Sequence, residues 1–304
     1  MTHTDFPPHD YLTVRELAAL LRLKERKIYD LAASGAVPCS RATGKLLFPA
    51  GEVRAWLEQA QSGQFPAAST NAPSGTEQRR PAVFLGSHDP LLDWAIRQSG
   101  CGLPTFFDGS TDGLRRFEQG EGVAAGLHLY DAASGGWNIP DVERHVQGLN
   151  VVLIRLATRR RGLVYRPDRQ PLGAMSDIRG LRVVPRQPGS GTDRLFLSLA
   201  ERDGVALADV AFAEVARTED DAVETVRRGG ADVTFGLEAV AKGYGLSFTH
   251  LIDEEFALLV DRRAFFDAPL QTLLGFLSSE AFQIRAEGYG GYDIRGLGDV
   301  LWNA

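Results

Sequence analysis

The chain has 304 residues, 44% of them hydrophobic, 24% charged and 9% aromatic, and 33 basic against 39 acidic side chains give a formal net charge of -6. This is a globular composition, long enough for one large domain or two, and it excludes a chain drawn to nucleic acid or anionic lipid by its overall field, so any DNA contact must come from a local patch. The start lacks a basic segment followed by an apolar one, no stretch approaches about 18 apolar residues, and Cys39 and Cys101 form no metal-binding spacing, so the expectation is a cytoplasmic protein with free thiols, no membrane segment and no bound metal cofactor.

In YLTVRELAALLRLKERKIYDLAASGAVP, Thr13 followed three places later by Glu16 is a capping-box pattern, and Leu17, Leu20 and Leu21 share one face of a helix over about 14–21. A turn at Arg22 to Lys24 leads into a second helix over about 25–33, with Ile28 and Leu31 inward and Gly35 as its stop. This is helix-turn-helix spacing. Arg22, Lys24, Arg26 and Lys27 face outward against Glu25, a local positive excess suited to phosphates or guanine edges. VPCSRATGKLLFP then reads as a hairpin whose turn carries Arg41 and Lys45, and GEVRAWLEQA, anchored by Trp56, closes the unit as a third helix.

In this order the elements of residues 11–60 resemble the excisionase-type, MerR-like winged helix-turn-helix at the head of many bacterial regulators. The resemblance implies that the second helix enters the major groove of a double-stranded DNA operator while the wing from Arg41 to Lys45 follows the backbone. Lys24, Arg26, Lys27, Arg41 and Lys45 are the candidate DNA contacts, and the DNA-binding domain is expected over residues 1–61. Residues 62–80, SGQFPAASTNAPSGTEQRR, have the composition of a flexible linker.

From residue 81 to 304 short apolar strands alternate with helices, an α/β pattern. PAVFLGSHDPLLDWAI passes from a strand through a corner with Ser87 or Asp89 as cap into a helix, and PTFFDGSTDGLRRF repeats the device at Ser110 and Thr111. VVPRQPGSGTDRLF gives a third copy, with Ser190, Gly191 and Thr192 at the corner. Free amides at a helix start carry the positive end of the helix dipole and favour an anion, and such corners line the crevice at the carboxyl ends of strands. The third corner is neither a Walker motif, since no Lys-Ser or Lys-Thr pair follows its last glycine, nor a nucleophile elbow, since Ser190 lacks the G-x-S-x-G frame. No acid/base pair or activated nucleophile is recognisable, which points away from an enzyme.

The succession GSHDPLLDWA, GSTDGLRRFEQGEGVAAGLHLYD, RRRGLVYR, DIRGLRVVPRQPGSGTDRLF, DDAVETVRRGGADVTFGLEAVA and GYGGYD resembles the domain related to periplasmic molybdate- and tungstate-binding proteins that bacteria fuse to such heads. The resemblance implies a two-lobed, type II periplasmic-binding-protein-like sensor over residues 81–304, with a tungstate or molybdate ion between the lobes; closure of the lobes would then have to change how two heads sit on DNA, for which the expectation is a homodimer. By the resemblance, Ser87 and Ser110 face the ligand from the first lobe, and Arg186, Ser190, Gly191 and Thr192 from the second; His88 and Thr111, in the same first-lobe corners, are further candidate ligand contacts. A carboxylate clamped by Arg186 is the alternative ligand. Two departures stand out: Asp220 and Asp221 replace a Thr-His pair and are expected to cap a helix, and Arg159 to Arg161 are expected to decorate a strand turn. His128, inside an apolar strand, reads as an interior histidine.

Overall fold

The computed structural model describes residues 11–21, 23–33, 37–39, 46–54 and 79–304, and the chain divides into two compact units, Met1–Glu77 and Gln78–Ala304. In the first unit, β1 (Tyr11–Thr13) leads directly into α1 (Val14–Leu21), followed by α2 (Glu25–Ala33), β2 (Leu47–Pro49) and α3, helical at residues 50–54. The Thr13 Oγ1 accepts from the Glu16 amide at 3.3 Å while Glu16 accepts from the Thr13 amide at 2.7 Å, so the reciprocal capping box starts α1 where the sequence places it. β1 and β2 pair antiparallel, Leu12 opposite Phe48, and with Leu17, Ile28, Val37 and Val53 they form a closed apolar core.

The second unit contains β3 (Phe84–Gly86), α4 (Pro90–Ser99), β4 (Thr105–Phe107), α5 (Ser110–Glu118), β5 (Ala124–Leu127), the hairpin β6 (Tyr130–Asp131) and β7 (Gly136–Trp137), and α6 (Ile139–Val146). The long strand β8 (Val151–Tyr165) is followed by β9 (Arg182–Val184), α7 (Gly191–Arg202), β10 (Ala211–Phe212), α8 (Glu219–Arg227), β11 (Val233–Leu237) and α9 (Glu238–Gly243). A second long strand, β12 (Ser247–Asp261), precedes α10 (Arg262–Phe265), α11 (Ala268–Leu277), α12 (Glu280–Tyr289), β13 (Tyr292–Asp293) and β14 (Val300–Asn303).

One sheet runs β10-β9-β11-β8-β12-β5-β3-β4, with β13 and β14 also pairing to β8. Its two halves repeat a pattern: three parallel strands, the first in the middle, bordered by the antiparallel strands β8 and β12. β8 and β12 are shared. Their register is continuous from Ser247 opposite Tyr165 to Asp261 opposite Val151, interrupted by irregularities at His250/Ile252 and Phe256/Ala257. The ends of these strands enter different cores: Ile154, Leu156, Phe256 and Leu258 pack under α4 and α11 with Leu92 and Leu273, whereas Leu163 and Tyr165 pack with Val183, Leu195 and Phe235. The unit is therefore two lobes joined by two strands, the type II arrangement.

Glycine sets one spacing on which the site depends. A Cβ on Gly113 of α5 would lie 2.2 Å from the Gly86 Cα of β3, so α5 can sit against β3 only because position 113 lacks a side chain. That close approach brings Ser110, at the start of α5, to 2.8 Å from Ser87, just past the end of β3.

Candidate functional site

A cavity of about 60 Å³ lies between the lobes, bordered by Ser87, His88, Asp108, Gly109 and His128 on one side and by Arg186, Gln187, Ser190 to Thr192 and Arg217 to Glu219 on the other. A water occupies about 30 Å³ of liquid and drug-sized ligands take pockets of roughly 300–1,000 Å³, so this space suits a compact ion. Three of its lining residues are helix N-caps: Gly109 of α5, Ser190 of α7 and Thr218 of α8. The positive ends of three helix dipoles thus converge on one small space. Ser190 and Thr218 spend their hydroxyls on the third amide of their own helices, Asp193 at 3.2 Å and Asp221 at 3.0 Å. The amides of Gly191 and Thr192 occupy the first two positions of α7, which have no partner within the helix.

Of the eight residues expected at the ligand, Ser87, His88, Arg186, Ser190, Gly191 and Thr192 border the cavity, and Ser110 and Thr111 do not. Ser110 is fully buried behind Ser87, bonding its hydroxyl and accepting from the His128 amide at 2.9 Å. Thr111 is exposed and donates to the Gly189 carbonyl of the other lobe at 3.0 Å. Lobe contact recurs at Gly191, where a Cβ would lie 2.9 Å from the His128 carbonyl, and at Arg194, 3.3 Å from Asp141. The lobes are closed on each other.

The largest departure from expectation is at Arg159 to Arg161. They sit in the middle of β8, where Arg160 points outward to Glu238 while Arg159 and Arg161, two residues apart on one face, are each 1% exposed. Arg159 donates to Asp89 at 2.8 Å and to Glu254, which lies opposite it on β12. Arg161 donates to the other oxygen of Glu254 at 2.7 Å and to Glu219 at 2.8 Å. Arg186 lies 3.0 Å from Glu219 at ion-pair distance, yet its Nη1 lacks hydrogen-bond geometry there, its Nε and Nη2 being spent on the carbonyls of Ala216 and Arg217. A chain of charges therefore runs from Asp89 in the first lobe through the shared strands to Arg186 in the second.

Burial alone would raise the carboxyl of Glu254, but Arg159 and Arg161 hold it well below its usual range, and Arg161 and Arg186 likewise hold Glu219 down against its burial. Burial keeps His128 below the ordinary imidazole range, against the pull of Glu254, so the ring is neutral and its Nδ1–H donates to Glu254 at 3.0 Å. Burial, reinforced by Asp89, raises the Tyr292 phenol, which remains a donor to Asp89 at 2.7 Å. Asp89, Glu254 and Glu219 balance Arg159, Arg161 and Arg186, leaving the helix ends and the exposed Arg217 as the positive features facing the cavity.

Asp220 and Asp221 do not supply a cap to α8; Thr218 does. Asp220 accepts from the Tyr244 hydroxyl at 3.1 Å, and neither aspartate borders the cavity; the acidic side chains that do are Asp108 and their own neighbour Glu219. Among the described residues no group of three or more His, Cys, Asp and Glu gathers to hold a metal ion, and no helix is long and apolar enough to cross a membrane. In the first unit Lys24, Arg26 and Lys27 are exposed on α2 and its lead-in, whereas Arg22, Arg41, Lys45 and Trp56 lie outside the described residues.

The chain is 26% identical over 301 residues to the uncharacterized protein YvgK of Bacillus subtilis (strain 168), a match covering 95% of this chain and 97% of the relative. Among solved structures it is similar to a phosphate ABC transporter substrate-binding protein with bound phosphate from Clostridium perfringens, at 11% identity and TM-score 0.51, over 68% of this chain and 97% of that one. It is also similar to a C206 mutant of Corynebacterium glutamicum OxyR, at 12% identity and TM-score 0.50, over 91% and 89% of the two chains. At these identities the likeness is one of fold. Residues 11–61 match a helix-turn-helix domain family and residues 93–278 match the PBP superfamily domain, the combination of a ligand-sensing DNA-binding regulator. With that second match spanning more than half of its length, the chain belongs to the PBP superfamily.

Proposed function

We propose that the protein is a transcription regulator that binds a compact tetrahedral oxyanion, molybdate or tungstate, between its lobes and in response changes how a homodimer engages a double-stranded operator. The observation that supports this is the meeting of three helix N-caps on a cavity of about 60 Å³ whose neighbouring side-chain charges already balance. An added dianion there is held by amides, hydroxyls and helix dipoles instead of competing for a guanidinium. The ligand undergoes no chemistry in this reading. Thr192, 4% exposed and bordering the cavity, offers the cleanest test, because valine keeps its shape and removes only the hydroxyl.

Calorimetric titration of the full chain with molybdate, tungstate, sulfate and a set of carboxylates is expected to rank the first two highest. Thr192→Val should weaken them by about 1–3 kcal/mol, the cost of an unpaired buried polar group. Unchanged affinity in that variant, or preference for a carboxylate, overturns the oxyanion. A carboxylate clamped by Arg186 is less well supported, since two of the three guanidinium nitrogens are already bonded to carbonyls and the third faces Glu219. For the head, the exposed Lys24, Arg26 and Lys27 on and before α2 support DNA contact through that helix.

A further inference from the structure

A second cavity, about 270 Å³, opens in the second lobe and differs in kind from the first. Its floor is made by Val183 and Val184 of β9, Phe196 of α7 and Phe235 of β11, all buried. Its rim is Leu197, Leu207, Phe212 and Val215, which are 40–50% exposed, a concentration of apolar surface uncommon on a soluble domain unless something covers it. Phe196 stands edge-on to Phe212, with centroids 6.4 Å apart, and is tilted against Phe235 at 6.0 Å, so the walls are aromatic. Polar groups enter only at one side, as Arg186, Thr192 and Asp193.

We infer that this cavity is a second ligand site, taking a compact apolar molecule of one or two rings with a single hydrogen-bond-accepting group turned toward Arg186 and Thr192. Size argues for a small molecule: an apolar cavity of about 150 Å³ lined by Leu, Ile and Phe accepts benzene, so 270 Å³ holds a fused pair of rings. The depth argues the same way, because a floor of four buried side chains from three different elements forms a container and not a flat face. Polarity follows from Arg186 and Thr192 at that one side: the Arg186 Nη1 lies 3.0 Å from Glu219 without hydrogen-bond geometry, so its N–H can be completed by a single acceptor of the ligand while the charge stays balanced by Glu219. Arg186 and Thr192 border both this cavity and the cleft between the lobes, so they form a common wall, and occupancy of one site is felt at the other.

The test is a fluorescence titration of the full chain with 2-naphthoate. Saturable one-to-one binding is expected, weakened at least tenfold in Phe212→Glu, which sets a charge on the exposed rim, and in Val215→Trp, which plugs the mouth. Both variants should titrate with molybdate as the parent does, which shows that they are folded and separates this site from the cleft. Saturating 2-naphthoate should shift the molybdate titration of the parent. The absence of saturable 2-naphthoate binding, or binding to Val215→Trp with parental affinity, overturns the second site; failure of molybdate to bind, with 2-naphthoate still taken up, overturns only the cleft reading.

Discussion

Glu219→Gln tests the electrostatic account of the cleft, because stability and ligand affinity should move in opposite directions. Glu219 accepts from Arg161 at 2.8 Å and lies 3.0 Å from Arg186, with its side chain 7% exposed. Removing its charge leaves three guanidiniums against two carboxylates, one uncompensated positive charge in a buried network. Breaking a buried pair costs about 3–5 kcal/mol, and since glutamine keeps an acceptor for Arg161, the lower end, about 3 kcal/mol, is expected. For a unit of this size that lowers Tm by roughly 6–12 °C. The freed charge faces the cavity. At about 6 Å and an effective dielectric near 20 a unit charge interacts with each charge of the ion by about 3 kcal/mol before screening. Even after screening a tenfold tightening for molybdate, about 1.4 kcal/mol, is the expected floor. Scanning calorimetry of the unliganded variant and isothermal titration with molybdate give the two numbers. Weaker binding in Glu219→Gln would refute the reasoning, since it would make the carboxylate a direct acceptor for a proton-bearing ligand.

Gly191→Ala should hold the lobes apart, because its Cβ would meet the His128 carbonyl at 2.9 Å; small-angle scattering is expected to show a larger radius of gyration, and molybdate binding to fall at least tenfold. Acidification should destabilise the protein in two stages. His128 is neutral when folded and takes a proton when unfolded, so the unfolded chain binds more protons and stability declines as pH falls below about 6.5. Glu254 and Glu219 are depressed when folded, so their stabilisation is full above the ordinary carboxylate pKa near ~4.3 and is lost as pH falls through their folded values. Urea unfolding across this range should show both stages, and a His128→Gln variant with an undiminished first stage would contradict the assignment. Joint replacement of Arg26 and Lys27 by alanine should weaken DNA binding and reduce the slope of log affinity against log salt by about 2, measured by fluorescence anisotropy; an unchanged slope would move the phosphate contacts elsewhere.

What could be read from the sequence was local. The box from Thr13 to Glu16 and the caps at Asp89 and Ser190 join residues three apart, and their chemistry is the same in the fold as in the string of letters. The ionic network was hidden because its members are far apart in the chain: Glu254 lies 95 residues from Arg159, and Asp89 lies 70 from it. One signal was nonetheless present. Arg159 and Arg161 share a face within VVLIRLATRRRGLVY, an otherwise apolar run that reads as a buried strand, and two cations on the inward face of such a strand require buried acids. Asp220 and Asp221 stand out in the sequence as replacements of a Thr-His pair, while Glu219, one residue earlier and the one of the three that borders the cavity, gives no local sign of its inward orientation. Ser110 was legible as a corner residue but not as one standing behind Ser87, since that depends on the glycine contact between α5 and β3.

The sharing of β8 and β12 also sets an order of assembly during synthesis. The second lobe is one contiguous insertion between those strands, whereas the first lobe needs both flanks of the domain, its β5 pairing with residues 257–260 and its β8 with residues 300–303. Until residues 300–303 have been made, the inserted lobe can close its own core while the earlier-made half waits with an unpaired sheet edge. A chain cut before residue 300 is thereby penalised in the half that was translated first.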